Sequence, residues 1–122
     1  QYIKKTKNKS FIIIDAGMND FMRPALYDAI HEIVPVLQTG KKTKGVTEFV
    51  GPVCETSCKF IKYKKFQRLK ENSFVAVINV GAYGSSLSSN YNTRPLISEF
   101  LVFKNKIKVI RKRQKLLELI KV

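Results

Sequence analysis

Phe74-Val75-Ala76-Val77-Ile78-Asn79-Val80 runs directly into Gly81-Ala82-Tyr83-Gly84. The first block is almost continuously apolar and rich in β-branched residues, so it reads as a buried strand, and the glycines after it open a loop. Working back towards the N-terminus, residues 46–53 alternate and end near Gly51-Pro52, which predicts a second strand behind the lysine-rich turn of residues 38–45. Residues 11–14, Phe-Ile-Ile-Ile, predict a third, stopped by Asp15-Ala16-Gly17. Between them Asn19 or Asp20 can cap a helix. Pro24 fits its first turn, and Leu26, Ile30, Ile33 and Val34 recur at helical spacing until Pro35. Arg23, Tyr27 and His31, four apart, would share one face of that helix. Towards the C-terminus a Ser- and Asn-rich loop, residues 85–95, precedes a predicted hairpin of residues 100–103 and 107–110 around Lys104-Asn105-Lys106. Lys106 and Lys108 alternate there with Ile107 and Val109, as on a protected edge strand. Residues 111–122 predict a short helix through Leu116, Leu117 and Ile120. Several strands around one inserted helix imply a single, mainly antiparallel β domain, of barrel or sandwich type.

Composition narrows the function. At 122 residues and 44% hydrophobic, the chain is sized for one domain with one core. No apolar run is long enough to span a bilayer. The start, Gln1-Tyr2-Ile3-Lys4-Lys5, has neither an initiator Met nor a signal-peptide core, so a truncated, cytoplasmic chain is expected. The formal charge of +14 raises the question of nucleic acid. Yet 18 of the 23 cations are Lys and only five are Arg, and the lysines are spread over residues 4–9, 41–44, 59–70 and 104–121, as on solvated loops and strand edges. Base-edge recognition favours Arg forks, so neither a nucleic-acid nor a membrane partner is expected. Cys54 and Cys58, with one His in the chain, cannot complete a four-ligand thiol and imidazole zinc site, and two thiols without a secretory signal are expected reduced.

Four motifs stand in order across nearly the whole chain: Asp15-Ala16-Gly17-Met18-Asn19-Asp20 with Arg23-Pro24-Ala25-Leu26-Tyr27; Gly51-Pro52-Val53-Cys54-Glu55-Thr56; Gly81-Ala82-Tyr83-Gly84; and Ser89-Asn90-Tyr91-Asn92-Thr93-Arg94-Pro95. Each alone is weak. Together, in this order and spacing, they resemble the C-terminal domain of the diaminopimelate decarboxylases, fold-type III pyridoxal-phosphate enzymes. The resemblance implies a β domain of the alanine-racemase C-terminal type following a TIM-type barrel. That barrel carries the Schiff-base lysine and the phosphate site. None of the 18 lysines lies in a matching motif, so the barrel is expected to be absent and the chain inactive alone. A homodimer with shared active sites is implied as well.

The resemblance also assigns roles. Cys54 matches the proton donor contributed across the dimer interface, and a cysteine thiol, with an ordinary pKa near ~8.5, is mostly protonated at neutral pH. A buried structural Cys is the competing expectation. Glu55 matches the carboxylate that meets the substrate's distal amino group. Related decarboxylases of ornithine type resemble the motif with Asp in its place, so Glu favours meso-diaminopimelate. Arg23 and Tyr27 match a substrate-binding pair, the guanidinium fork suiting a distal carboxylate; without the resemblance they would be a solvated helix face. Tyr83 matches a tyrosine that contacts the cofactor phosphate beside the substrate. Asn90, Tyr91, Asn92, Arg94 and Pro95 take a structural role, while His31 and Cys58 take none. The chain departs from the pattern at Cys58, where Asp is common, at Asn79-Val80, where Asp-Ala is, and at Leu87, where Met is. Two alternatives stay open: another fold-type III decarboxylase, and a basic β module for nucleic acid. The latter should interleave aromatics with Arg on one sheet face, and no such run is present.

Overall fold

The computed structural model describes residues 2–38 and 40–120. In chain order the elements are β1 (Tyr2–Lys5), β2 (Lys9–Ile13), α1 (Arg23–Tyr27), β3 (Ile33–Pro35), β4 (Val46–Val50), β5 (Lys59–Tyr63), β6 (Val75–Val77), α2 (Gly81–Ser86), a 3-10 turn (Tyr91–Thr93), β7 (Glu99–Phe103), β8 (Lys106–Arg111) and α3 (Leu116–Leu119). They form a four-stranded sheet in the order β1-β2-β4-β5 and two two-stranded sheets, β3-β6 and β7-β8. Every pairing is antiparallel except β2 with β4, which is parallel. The mainly antiparallel β expectation holds. Barrel closure does not, because the described strands divide among three sheets.

The core grows from β4. Thr47 and Phe49 are completely buried on one face, and Ile12, Ile14, Ile33 and Phe66 close around Phe49. The Phe49 ring meets Phe66 at 4.9 Å and Tyr63 at 6.1 Å, both edge to face, an arrangement worth about 0.5–1.5 kcal/mol per pair beyond the area buried. On the opposite face Glu48 is buried too, held by Lys9 and Lys62. Tyr63 joins the sheets: its hydroxyl accepts from the Ile33 N–H at 2.8 Å and donates to the Ile33 carbonyl at 3.1 Å. A buried N–H left without such a partner would cost roughly 1–3 kcal/mol.

Several boundaries move. The helix expected to run to Val34 stops at Tyr27, because Asp28 turns left-handed at φ 52° and its N–H closes on the Arg23 carbonyl. The β-branched Ile33 and Val34 pair instead with Val77 and Ala76 as β3. His31 therefore leaves the Arg23–Tyr27 face and packs edge-on against Phe21, ring centroids 4.7 Å apart. The strand expected over 74–80 shrinks to β6, ended by Asn79 at φ 58°. The loop expected at Gly81-Ala82-Tyr83-Gly84 is the start of α2. The lysine-rich segments at 4–9 and 59–70 supply β1 and β5, the two outer strands of the large sheet, where Lys side chains discourage edge-to-edge pairing. The C-terminal hairpin holds as expected, turned by Lys104 at φ 45° and Asn105 at φ 61°. The helix expected over 111–122 shortens to α3, because Arg111 completes β8 in pairing with Glu99 and residues 112–115 are not helical; residues 121 and 122 lie outside the described residues.

Candidate functional site

The turn after β2 is the hub on which the site is built. The Asp20 carboxylate, buried at 8% exposure, accepts the Gly17 N–H at 2.7 Å and the Asn19 amide at 3.1 Å, and pairs with Arg94 at 3.4 Å. Arg94 also donates to the Asp15 carbonyl at 2.6 Å. Asn19, fully buried, exchanges backbone and side-chain bonds with Ser89 at 2.9 and 3.5 Å. A Cβ on Gly17 would lie 2.5 Å from the Asn19 oxygen and 3.1 Å from Val53, so only glycine lets these segments close. Two of the four sequence motifs, the first and the last, thus meet in one buried polar network. Such a network is costly to break, since removing one partner strands a buried charge.

Two groups of side chains are carried on this hub. The first is Arg23, opening α1, and Tyr83 in α2. The guanidinium lies 5.4 Å from the centre of the Tyr83 ring. Arg23 Nε is buried and has no hydrogen-bond partner among the described residues, whereas Tyr83 is 61% exposed. Tyr27, one turn along α1, is equally exposed and forms no hydrogen bond or ring contact with either, among the described residues.

The second group is the loop between β4 and β5. Val53 and Cys58 are buried and anchor it, while Cys54 and Glu55 between them are exposed. The loop is tight: the Glu55 N–H reaches the Val53 carbonyl at 2.8 Å, and the Cys58 N–H the Glu55 carbonyl at 3.0 Å. Cys58, expected to be incidental, accepts the Met18 N–H at 3.4 Å and ties the loop to the hub. A Cβ on Gly51 would strike the Cys58 sulfur and come within 2.8 Å of the Ala16 carbonyl oxygen, so this approach also requires glycine. Glu55 accepts a hydrogen bond from the Tyr91 hydroxyl. That bond, and then the carboxylate's charge, hold the Tyr91 phenol above the ordinary tyrosine range.

Cys54 and Glu55 border an open depression of about 460 Å³. No hydrogen bond, ion pair or ring contact joins them to Arg23 or Tyr83 among the described residues. A larger cleft, about 820 Å³, lies at the β1–β2 turn under Lys5, Lys7 and Lys44 and contains none of these side chains. Chemically, the Arg23–Tyr83 group offers cationic and hydroxyl donors suited to carboxylate or phosphate, with one buried donor lacking a partner. The Cys54–Glu55 group offers an acid and an ammonium acceptor. No group of three or more His, Cys, Asp or Glu side chains is placed to hold a metal among the described residues. Likewise no helix among them is long and apolar enough to cross a membrane. The motifs name Arg23, Tyr27, Tyr83, Cys54 and Glu55 as candidates but give no sign of the Tyr91–Glu55 contact or the Asp20–Arg94 pair, whose partners lie 36 and 74 residues apart.

The class of this antiparallel β domain follows from comparison with known proteins. Residues 1–81 match the family model described as the pyridoxal-dependent decarboxylase C-terminal sheet domain, and the chain belongs to that family. It is 47% identical to the diaminopimelate decarboxylase of Helicobacter pylori strain J99, over 97% of this chain and 29% of that protein. The crystal structure of diaminopimelate decarboxylase from Helicobacter pylori complexed with L-lysine superposes with a TM-score of 0.86 at 46% identity, covering 97% of this chain and 28% of that one. The enzyme from M. jannaschii, also in complex with L-lysine, gives 0.91 at 36% identity, over 98% and 27%. The chain therefore spans less than a third of the length of the relatives it matches.

Proposed function

We propose that this chain is the C-terminal part of a diaminopimelate decarboxylase, which converts meso-2,6-diaminopimelate to L-lysine and CO2 in the cytoplasm as a homodimer. The observation that carries the reading is the placement of Cys54 beside Glu55 on an exposed loop, anchored to the same buried hub as the Arg23–Tyr83 pair. Pyridoxal phosphate, bound in a preceding barrel that supplies the Schiff-base lysine, would take up the electron pair left when CO2 departs.

The residues of this chain do the rest. Tyr83 would donate its hydroxyl to the cofactor phosphate. Arg23, with its buried Nε unpaired, receives the substrate's distal carboxylate, and Tyr27 extends that contact from the same helix. Glu55 accepts the distal ammonium. Cys54 Sγ then delivers a proton to the carbon from which CO2 has left. The Cys54–Glu55 loop, which is exposed and makes no hydrogen bond, ion pair or ring contact with Arg23 or Tyr83 among the described residues, would act on the partner subunit's barrel.

Mixed subunits test this division of labour. Complete enzyme carrying Cys54→Ala is combined with complete enzyme carrying Arg23→Ala, and the subunits are allowed to reassort. In a two-fold dimer with shared sites, each mixed dimer regains one intact site, so activity should return to about a quarter of wild type. Activity no higher than the average of the two parents would place Cys54 and Arg23 in the same subunit's site and defeat the shared-site reading.

A further inference from the structure

We propose that Tyr91 is a positioning residue for Glu55: its hydroxyl holds carboxylate Oε1 and thereby aims Oε2 at the substrate's distal ammonium. This rests on the functional reading above and adds to it a residue whose sequence context spoke only for a turn. The contact bridges 36 residues of chain, from the 3-10 turn to the β4–β5 loop. Both partners are exposed, and a phenol–carboxylate bond in water contributes little to stability.

The turn that delivers Tyr91 is nevertheless costly to make. Asn92 and Thr93 follow it at φ 58° and 57°, two successive non-glycine residues in the left-handed region, one of them β-branched. Strain of this kind persists only where the surroundings impose it. The surroundings here are clear: the Asn90 amide clamps the Arg94 carbonyl at 2.8 Å and Gln114 at 2.7 Å, and the Ser89 N–H is tied to the buried Asn19 carbonyl at 2.9 Å. The turn is thus pinned to the hub on one side and to the C-terminal segment on the other, and its free product is a phenol directed at Glu55. A carboxylate on a surface loop would otherwise sample many rotamers; one fixed oxygen reduces what substrate binding must order. A phenol is a donor throughout the neutral range, and the upward shift of Tyr91 carries that donor to higher pH, the contact being lost only as pH rises through its titration.

The test uses the complete holoenzyme in two arms. Tyr91→Phe keeps the ring and removes the donor; KM for meso-diaminopimelate should rise about threefold to tenfold, the effect of one lost hydrogen bond, with kcat changed much less. An unchanged KM, or a parallel fall in kcat as from general damage to the site, would overturn the proposal. In the second arm the Tyr91 phenol is titrated by ring-carbon NMR, with Tyr91→Phe to assign it. Glu55→Gln should bring its titration down into the ordinary tyrosine range, and identical titrations in the two proteins would also overturn it. If the wild-type enzyme did not decarboxylate meso-diaminopimelate at all, the functional reading would fail through that result, while the titration arm would still report on the contact.

Discussion

Cys54→Ala in the complete enzyme should lower kcat by about a hundredfold to ten-thousandfold, the usual contribution of a positioned general acid, and leave KM for meso-diaminopimelate within about twofold. The split follows from where the thiol acts. On the proposed reading Cys54 would deliver its proton only after CO2 has left, so its loss would raise the barrier without removing a ground-state contact. The fold should tolerate the change, because Cys54 is exposed whereas Cys58, buried against Met18, is the thiol that anchors the loop. Steady-state kinetics on the variant decides the matter. A KM rising in step with the loss of kcat would make Cys54 a binding residue.

Arg23→Ala should act on the other parameter. Its guanidinium lies 5.4 Å from the centre of the Tyr83 ring, and its permanent charge and fork of N–H donors suit a substrate carboxylate. A charge-assisted contact to a carboxylate is worth about 1.5–3 kcal/mol, which corresponds to a KM raised roughly tenfold to a hundredfold. The loss should fall selectively on substrates with a second carboxylate. Lysine and ornithine offer none, so discrimination between them and meso-diaminopimelate should shrink by about the same factor in kcat/KM. Undiminished discrimination would mean that Arg23 reads something other than the distal carboxylate.

The legible parts of this chain were those specified locally. The hairpin of β7 and β8 follows from apolar alternation around Lys104-Asn105, and the exposed Cys54–Glu55 loop from the stop at Gly51-Pro52. The errors arose where long-range pairing overrode local pattern. Ile33 and Val34 satisfy a helical period, yet they gain more from pairing with Val77 and Ala76 beside the Phe49 core. The strands β1 and β5 were hidden by their lysines, which suit the outer edges of a sheet as well as a loop. In the site, the motifs gave Arg23, Tyr83, Cys54 and Glu55 but not the reason they occur together. That reason is the Asp20–Arg94–Asn19–Ser89 network, whose members lie about seventy residues apart and touch only once the sheet has formed. Tyr91 belongs to the same class. Its neighbours in sequence announce a turn, and only the folded chain brings its hydroxyl to Glu55.

The most direct test of the central claim is CO2 release by the purified complete enzyme, with pyridoxal phosphate, from meso-diaminopimelate, L-lysine and L-ornithine measured in parallel. The account predicts rapid release from meso-diaminopimelate with L-lysine accumulating in equal amount, and a kcat/KM for either monocarboxylate lower by at least about a hundredfold, as expected when Arg23 is left unpaired. Comparable release from ornithine or lysine, or none from meso-diaminopimelate, would contradict it.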